Sequence, residues 1–141
     1  MILHCNFEEL RALAFGAEMV LTGQAAAQEA AVAAPAEAVT LVEQLLPRLT
    51  GDITITTLAE QHQVRKAINV ICGGFRELMD EKILEYNPAA EEAVATYFDY
   101  AHSRTVLDRV DRIGAEMDAI IELITGAPAT EQTAASITFQ D

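Results

Sequence analysis

The chain has 141 residues, with 22 acidic against 9 basic side chains for a net charge of −13. That length suits a single domain with a real core, and 51 % apolar residues exclude general disorder. No uncharged apolar run approaches the roughly 20 residues of a membrane-spanning helix, and a pI near 4.4 repels phosphate backbones, so membrane and nucleic acid are not expected partners.

Alanine is abundant, Trp is absent, and the aromatics are three Tyr and five Phe. Alanine favours helices and buries little area per residue, which predicts thin, closely packed helices. Met1–Asn6 mixes Ile2, Leu3 and Cys5 with His4 and Asn6 in no helical period and reads as a short strand. It carries no basic residue and meets Glu8 and Glu9 at once, unlike a secretory leader. Cys5 and Cys72 are too far apart in sequence for a metal pair and too few for a disulfide framework, so a reducing, cytoplasmic setting is expected.

Asn6 and Glu9 have the spacing of a capping box. The stripe Phe7, Leu10, Leu13, Ala14, Ala17, Val20, Leu21 predicts a helix over 7–22, with Gly23 ending it. The alanine-rich stretch 24–35 reads as a linker or a helical extension. Pro35 opens a helix over 35–46 whose inner face is Val39, Val42, Leu45 and Leu46, and Pro47 and Gly51 end it. Asp52–Thr56 alternates β-branched residues and predicts a short strand.

Thr57-Leu58-Ala59-Glu60 is a second capping box, and Val64, Ile68, Ile71, Phe75 and Leu78 share one helical face, so helical pattern continues to about Tyr86. Gly73-Gly74 marks either a close backbone neighbour or a bend. Asn87-Pro88 stops and restarts the chain. The last helix runs over 89–125, roughly 37 residues spanning about 55 Å. Its seam of Val106, Val110, Ile113, Met117, Ile120 and Ile124 lies among charged neighbours. The tail 129–141, with Ile137 and Phe139, is expected as a short edge strand.

The order of features in 36–86 resembles the winged-helix pattern. Asp52-Ile-Thr-Ile-Thr56 leads into Thr57-Leu-Ala-Glu-Gln-His-Gln-Val64, and Phe75-Arg-Glu-Leu78 with Lys82-Ile-Leu84 resembles the end of a reading helix and the start of a wing. The resemblance implies a transcriptional regulator contacting nucleic acid through Arg65 and Lys66. Gln63 replaces the turn glycine of that pattern, and 48–86 carries five basic against six acidic residues, which is no phosphate-binding footprint.

Asp99 and His102 have the i, i+3 spacing of carboxylate-bridged metal bundles, but no second such pair accompanies them. Cys72 has no basic neighbour in sequence, and His4-Cys5 has no local orienting group. No catalytic, cofactor-binding or metal-ligating set is therefore assigned. The expected fold is mostly α with a minor β component (α+β): one domain over 1–128, four helices with a long C-terminal antiparallel hairpin, and two or three short strands. The expected function is a non-enzymatic acidic interaction module. It would form a homodimer or bind another protein through its last helix, with Tyr97, Phe98 and the seam residues as the working surface.

Overall fold

The computed structural model describes residues 1–23, 35–85 and 91–140, the side chains of 35, 81–85 and 92 excepted. The possible linker at 24–34 and the Asn87-Pro88 junction lie outside the described residues. The architecture is α+β: a helical body with one two-stranded antiparallel sheet at its edge. The elements are β1 (Ile2–Leu3), α1 (Phe7–Leu21), α2 (Pro35–Leu45), a 3-10 turn (Leu46–Arg48), β2 (Ile53–Thr54), α3 (Leu58–Glu85), α4 (Glu91–Thr125) and α5 (Glu131–Ser136).

Local chemistry sets most of these limits. The Asn6 side chain accepts from the Glu9 N–H at 2.8 Å, and Glu9 accepts in turn from the Asn6 N–H at 2.9 Å. That reciprocal pair satisfies donors a helix start would otherwise leave bare. Gly23, at φ +76°, follows α1 in the left-handed conformation that glycine adopts without strain. At α3 the Thr57 hydroxyl accepts from the Glu60 N–H, while the Glu60 carboxylate reaches back one residue further, to the Thr56 N–H.

Strands β1 and β2 pair with Ile2 opposite Thr54 and Leu3 opposite Ile53, and Met1 and Ile55 exchange backbone hydrogen bonds at 2.8 Å. The far edge of β2 is covered as well. Arg48 donates to the Thr54 carbonyl at 2.7 Å, and the Phe139 N–H donates to that of Thr56 at 2.6 Å.

The tail departs from the strand expected there. Residues 131–136 form α5, capped by Thr130 and Thr133 in a reciprocal pair, and 137–140 take only the one bond beside β2. A four-residue cap outweighed the weak β signal of Ile137 and Phe139 because it satisfies N–H groups locally.

The winged-helix layout is also overturned. It requires a turn between two helices within 57–86, whereas α3 is one helix of 28 residues that passes through Gly73-Gly74 without interruption.

The core lies where α3 meets α4, with α1 and α2 packed against α3. Ile68, Ile71, Phe75, Leu107, Val110, Met117 and Ile121 are all buried. Two glycines set the helix spacing. A Cβ on Gly16 would lie 2.5 Å from Ile71 Cγ2 and 2.7 Å from Phe75 Cε2, and one on Gly114 would lie 2.5 Å from Gln61 Nε2. Gln61 itself is buried and donates to the Val110 carbonyl at 2.8 Å. Gly114 thus makes room for a polar side chain that ties α3 to the α4 backbone.

Candidate interaction surfaces

Helix α4, at 35 residues, is about 52 Å long and organises every candidate surface. Its buried line is Ser103, Val106, Leu107, Val110, Gly114, Met117 and Ile121. At 100° per residue this line is centred roughly 50° round the helix from the expected seam. Val106, Val110 and Met117 are therefore core within the chain, Ile113 is half-buried, and Ile120 and Ile124 are exposed, at 36 % and 66 %. Seam and core diverge because Ser103 and Gly114, small residues at the centre of the packed face, contribute almost no hydropathy signal.

Gln61 lies against Gly114 while Cys72, eleven residues on, lies in the field of Arg104 and Asp108, so α3 and α4 run antiparallel. Leu58, the first residue of α3, then lies level with Met117, and α4 runs on for about two further turns. Ile120, Leu123 and Ile124 sit on that extension, and Leu123 is 85 % exposed. Beside it runs an open groove of about 430 Å³, lined by Met1, Ile2, Leu3, His4, Arg109, Arg112, Ile113 and Glu116.

The opposite end of α4 is aromatic. Tyr97 and Phe98 are each 55 % exposed, meet edge to face at 5.9 Å and are joined by exposed Val94. Burial raises the Asp99 carboxyl, with the charges of Arg11 and His102 opposing and that of Glu8 adding to the rise. Glu9, two residues before Arg11, meets Arg109 further along α4. Helix α1 thus runs antiparallel to α4 and brings exposed Phe7 and Phe15 to this side, Phe15 stacked on Phe75 at 6.3 Å. Two ion pairs stand here, Arg11 with Glu8 at 3.1 Å and Arg104 with Asp108 at 3.5 Å, together with the carboxylates of Glu91 and Asp99.

Between the two ends lies a polar cluster that no local sequence signal announces, its contacts spanning 47 to 105 residues. Arg109 donates to Glu9 at 2.6 Å and to the His4 carbonyl at 3.0 Å. Asp52 accepts from the Cys5 N–H and meets His4 Nδ1, both at 3.0 Å. Burial alone would raise the Glu9 carboxyl, but the Arg109 hydrogen bond, the Asn6 N–H and the Arg109 charge hold it below the ordinary range. An open depression of about 370 Å³ is lined by His4, Cys5, Asn6, Glu9, Asp52 and Arg109.

Cys5, His4 and Asp52 bring a thiol, an imidazole and a carboxylate together, with Asp52 as the orienting group missing from the local sequence. The thiol is nonetheless protonated at neutral pH. Burial first, then the charges of Glu9 and Asp52, push it up to about 11, and its sulfur lies 3.8 Å from the Leu3 carbonyl. Burial likewise pushes Cys72 up to about 12. The cluster acts as a clamp joining β1, the turn before β2, α1 and α4.

Asp99 and His102 stand apart from other metal-binding side chains, and no group of three or more His, Cys, Asp or Glu among the described residues could hold an ion. Arg65 is committed to Asp111 at 2.6 Å, and Lys66 is half-buried beside it. No helix among the described residues is long and apolar enough to cross a membrane. No protein-family model matches the chain, and no curated protein or solved structure is detectably similar to it.

Proposed function

We propose that this protein is a non-enzymatic interaction module that forms a homodimer through the aromatic end of α4 and the adjoining face of α1. The reading rests on one observation: Phe7, Phe15, Val94, Tyr97 and Phe98 are all exposed on α1 and the N-terminal part of α4. A chain of net charge −13 repels its own copies, so self-association needs apolar contact large enough to outweigh that repulsion and strengthens as salt screens it. Exposed aromatic side chains supply large apolar area at low entropic cost, and such residues dominate interface energies. In this reading Val106, Val110 and Met117 stiffen α4 from behind instead of meeting the second copy.

Light-scattering mass after size exclusion tests it. The native chain should run at the mass of a dimer, most completely at high salt, and Tyr97→Ser with Phe98→Asp should run at 15.3 kDa while keeping its helical circular dichroism. A native monomer at both salt concentrations, or a double variant that remains dimeric, overturns the proposal.

A further inference from the structure

We infer that the groove between the open edge of β1 and α4 is a docking site for an extended segment of another protein that carries an acidic and a basic side chain two residues apart. Met1 and Ile55 exchange both backbone hydrogen bonds, so Ile2, the next residue, turns its own N–H and C=O away from β2. The outer edge of β2 is covered by Arg48 and Phe139, and on β1 the His4 carbonyl is taken by Arg109. Ile2 keeps its N–H and C=O without a partner among the described residues. The groove of about 430 Å³ runs along this edge. Met1 to His4 all line it although their side chains alternate between faces, and no residue of β2 does. Such an edge is a template for one more strand.

The α4 wall selects the side chains. Arg11, Arg48, Arg65, Arg104 and Arg109 are each held by a carboxylate, whereas Arg112 is exposed and forms no ion pair among the described residues. Glu116, one turn further along the same wall, is exposed and forms none either. Four residues of helix rise about 6 Å, and two residues of extended chain span about 6.6 Å. Side chains two apart on a strand share a face. A Glu-x-Lys or Lys-x-Glu segment, according to strand direction, therefore sets its carboxylate on Arg112 and its ammonium on Glu116. A helix fits poorly, because its backbone groups are satisfied internally and none is left for Ile2. A second copy fits poorly too. Its β1 edge lies in the same groove beside its own α4, so two copies meet wall to wall, each with a charge of −13. The inference is independent of the dimer proposed above, which uses the aromatic end of α4.

The experiment titrates the full chain into a fluorescein-labelled peptide, Thr-Val-Glu-Thr-Lys-Val-Thr, read by anisotropy. Saturable binding is expected with a Kd below about 0.3 mM, weak because the contact is short. Ile2→Pro removes the edge N–H and no bond to β2, and should weaken binding about fivefold or more. Ile2→Val keeps that N–H and should bind within about twofold of the native chain. Arg112→Gln with Glu116→Gln should weaken binding about threefold or more, yet leave unchanged the weaker binding of Thr-Val-Gln-Thr-Gln-Val-Thr. Both side chains are exposed, so the fold is kept, and circular dichroism checks this for every variant. Tyr97→Ser with Phe98→Asp should bind the peptide as the native chain does.

Four results overturn the inference. They are no saturation of the native chain by about 1 mM, undiminished binding by Ile2→Pro, and a charge variant that binds the two peptides as the native chain does. The fourth is a fall in the mass of the chain on Ile2→Pro, which would assign the edge to contact between copies of this chain.

Discussion

The two ends of α4 both expose apolar side chains, aromatic at one and aliphatic at the other. Around Tyr97 and Phe98 stand the ion pairs Arg11–Glu8 and Arg104–Asp108 with the carboxylates of Glu91 and Asp99. The face of α4 that carries Ile120, Leu123 and Ile124 also carries Arg112 and Glu116, whereas Asp118 and Glu122 lie on the opposite face. Apolar exposure alone says that something binds, and the charge beside it says what kind of partner is tolerated. Between the ends, the helix is anchored by Gln61, Arg65 and the Arg109 clamp, so each surface is presented on a fixed scaffold.

The largest expected effect separates the inner and outer faces of the C-terminal end. Ile121→Ala, at a fully buried position, should lower unfolding stability by about 2–5 kcal/mol, whereas Ile124→Ala three residues on should stay within about 0.5 kcal/mol. Denaturant unfolding of the pair would break the inner–outer distinction if the two losses were alike.

Next comes the clamp between the ends. Arg109→Met leaves the Glu9 carboxylate, only 3 % exposed, without its cation and should cost about 3 kcal/mol. Adding Glu9→Gln to Arg109→Met should recover part of that loss, because no buried charge is then left unpaired. A double variant no more stable than Arg109→Met alone would remove the ion pair as the cause.

Gly114→Ala should cost about 1–3 kcal/mol by forcing the buried Gln61 side chain off the Val110 carbonyl. Thermal melting checks this, with Gly126→Ala, just past the end of α4, as a contrast where any loss comes from backbone conformation instead of crowding.

The smallest effect is in acid. A carboxyl held below its ordinary range in the folded state stabilises the fold above its unfolded pKa of about 4.3 and ceases to do so as pH falls through the folded value. Native protein should therefore lose stability more steeply than Glu9→Gln below about pH 4. Parallel melting curves over that range would show that Glu9 contributes nothing to acid unfolding.

Much of the fold was legible from residue order alone. Helices α1, α2 and α4 lie within about two residues of their expected limits, because Asn6, Gly23, Pro35, Pro47 and Gly126 punctuate the chain through local chemistry. The extent of α3 was legible from its one-face spacing, whereas its continuity through Gly73-Gly74, where the glycines pointed to a close neighbour or a bend, was not. The orientation of α4 was not. Hydropathy weighs Ile120 and Ile124 equally with Val106, but burial depends on which face of α4 the neighbouring elements cover: Ile121, between Ile120 and Ile124 along the helix, is fully buried while those two are exposed. The clamp was equally hidden. Glu9 reads locally as a capping residue and Arg109 as one of several charges on a polar face, and only the tertiary fold brings them within 2.6 Å.

The long sequence separation of the clamp has a kinetic consequence. The antiparallel pair α3 and α4 joins segments close in sequence, so its contacts form at a small cost in chain entropy. By contrast, β1 must find β2 about fifty residues away, and Arg109 must find Glu9 across 100 residues. On this account the two long helices make up most of the rate-limiting ensemble, and the sheet and the clamp close afterwards. Loss of Arg109 would then leave the refolding rate nearly unchanged and appear almost wholly as faster unfolding. The N-terminal strand would act as the latch that sets the lifetime of the native state.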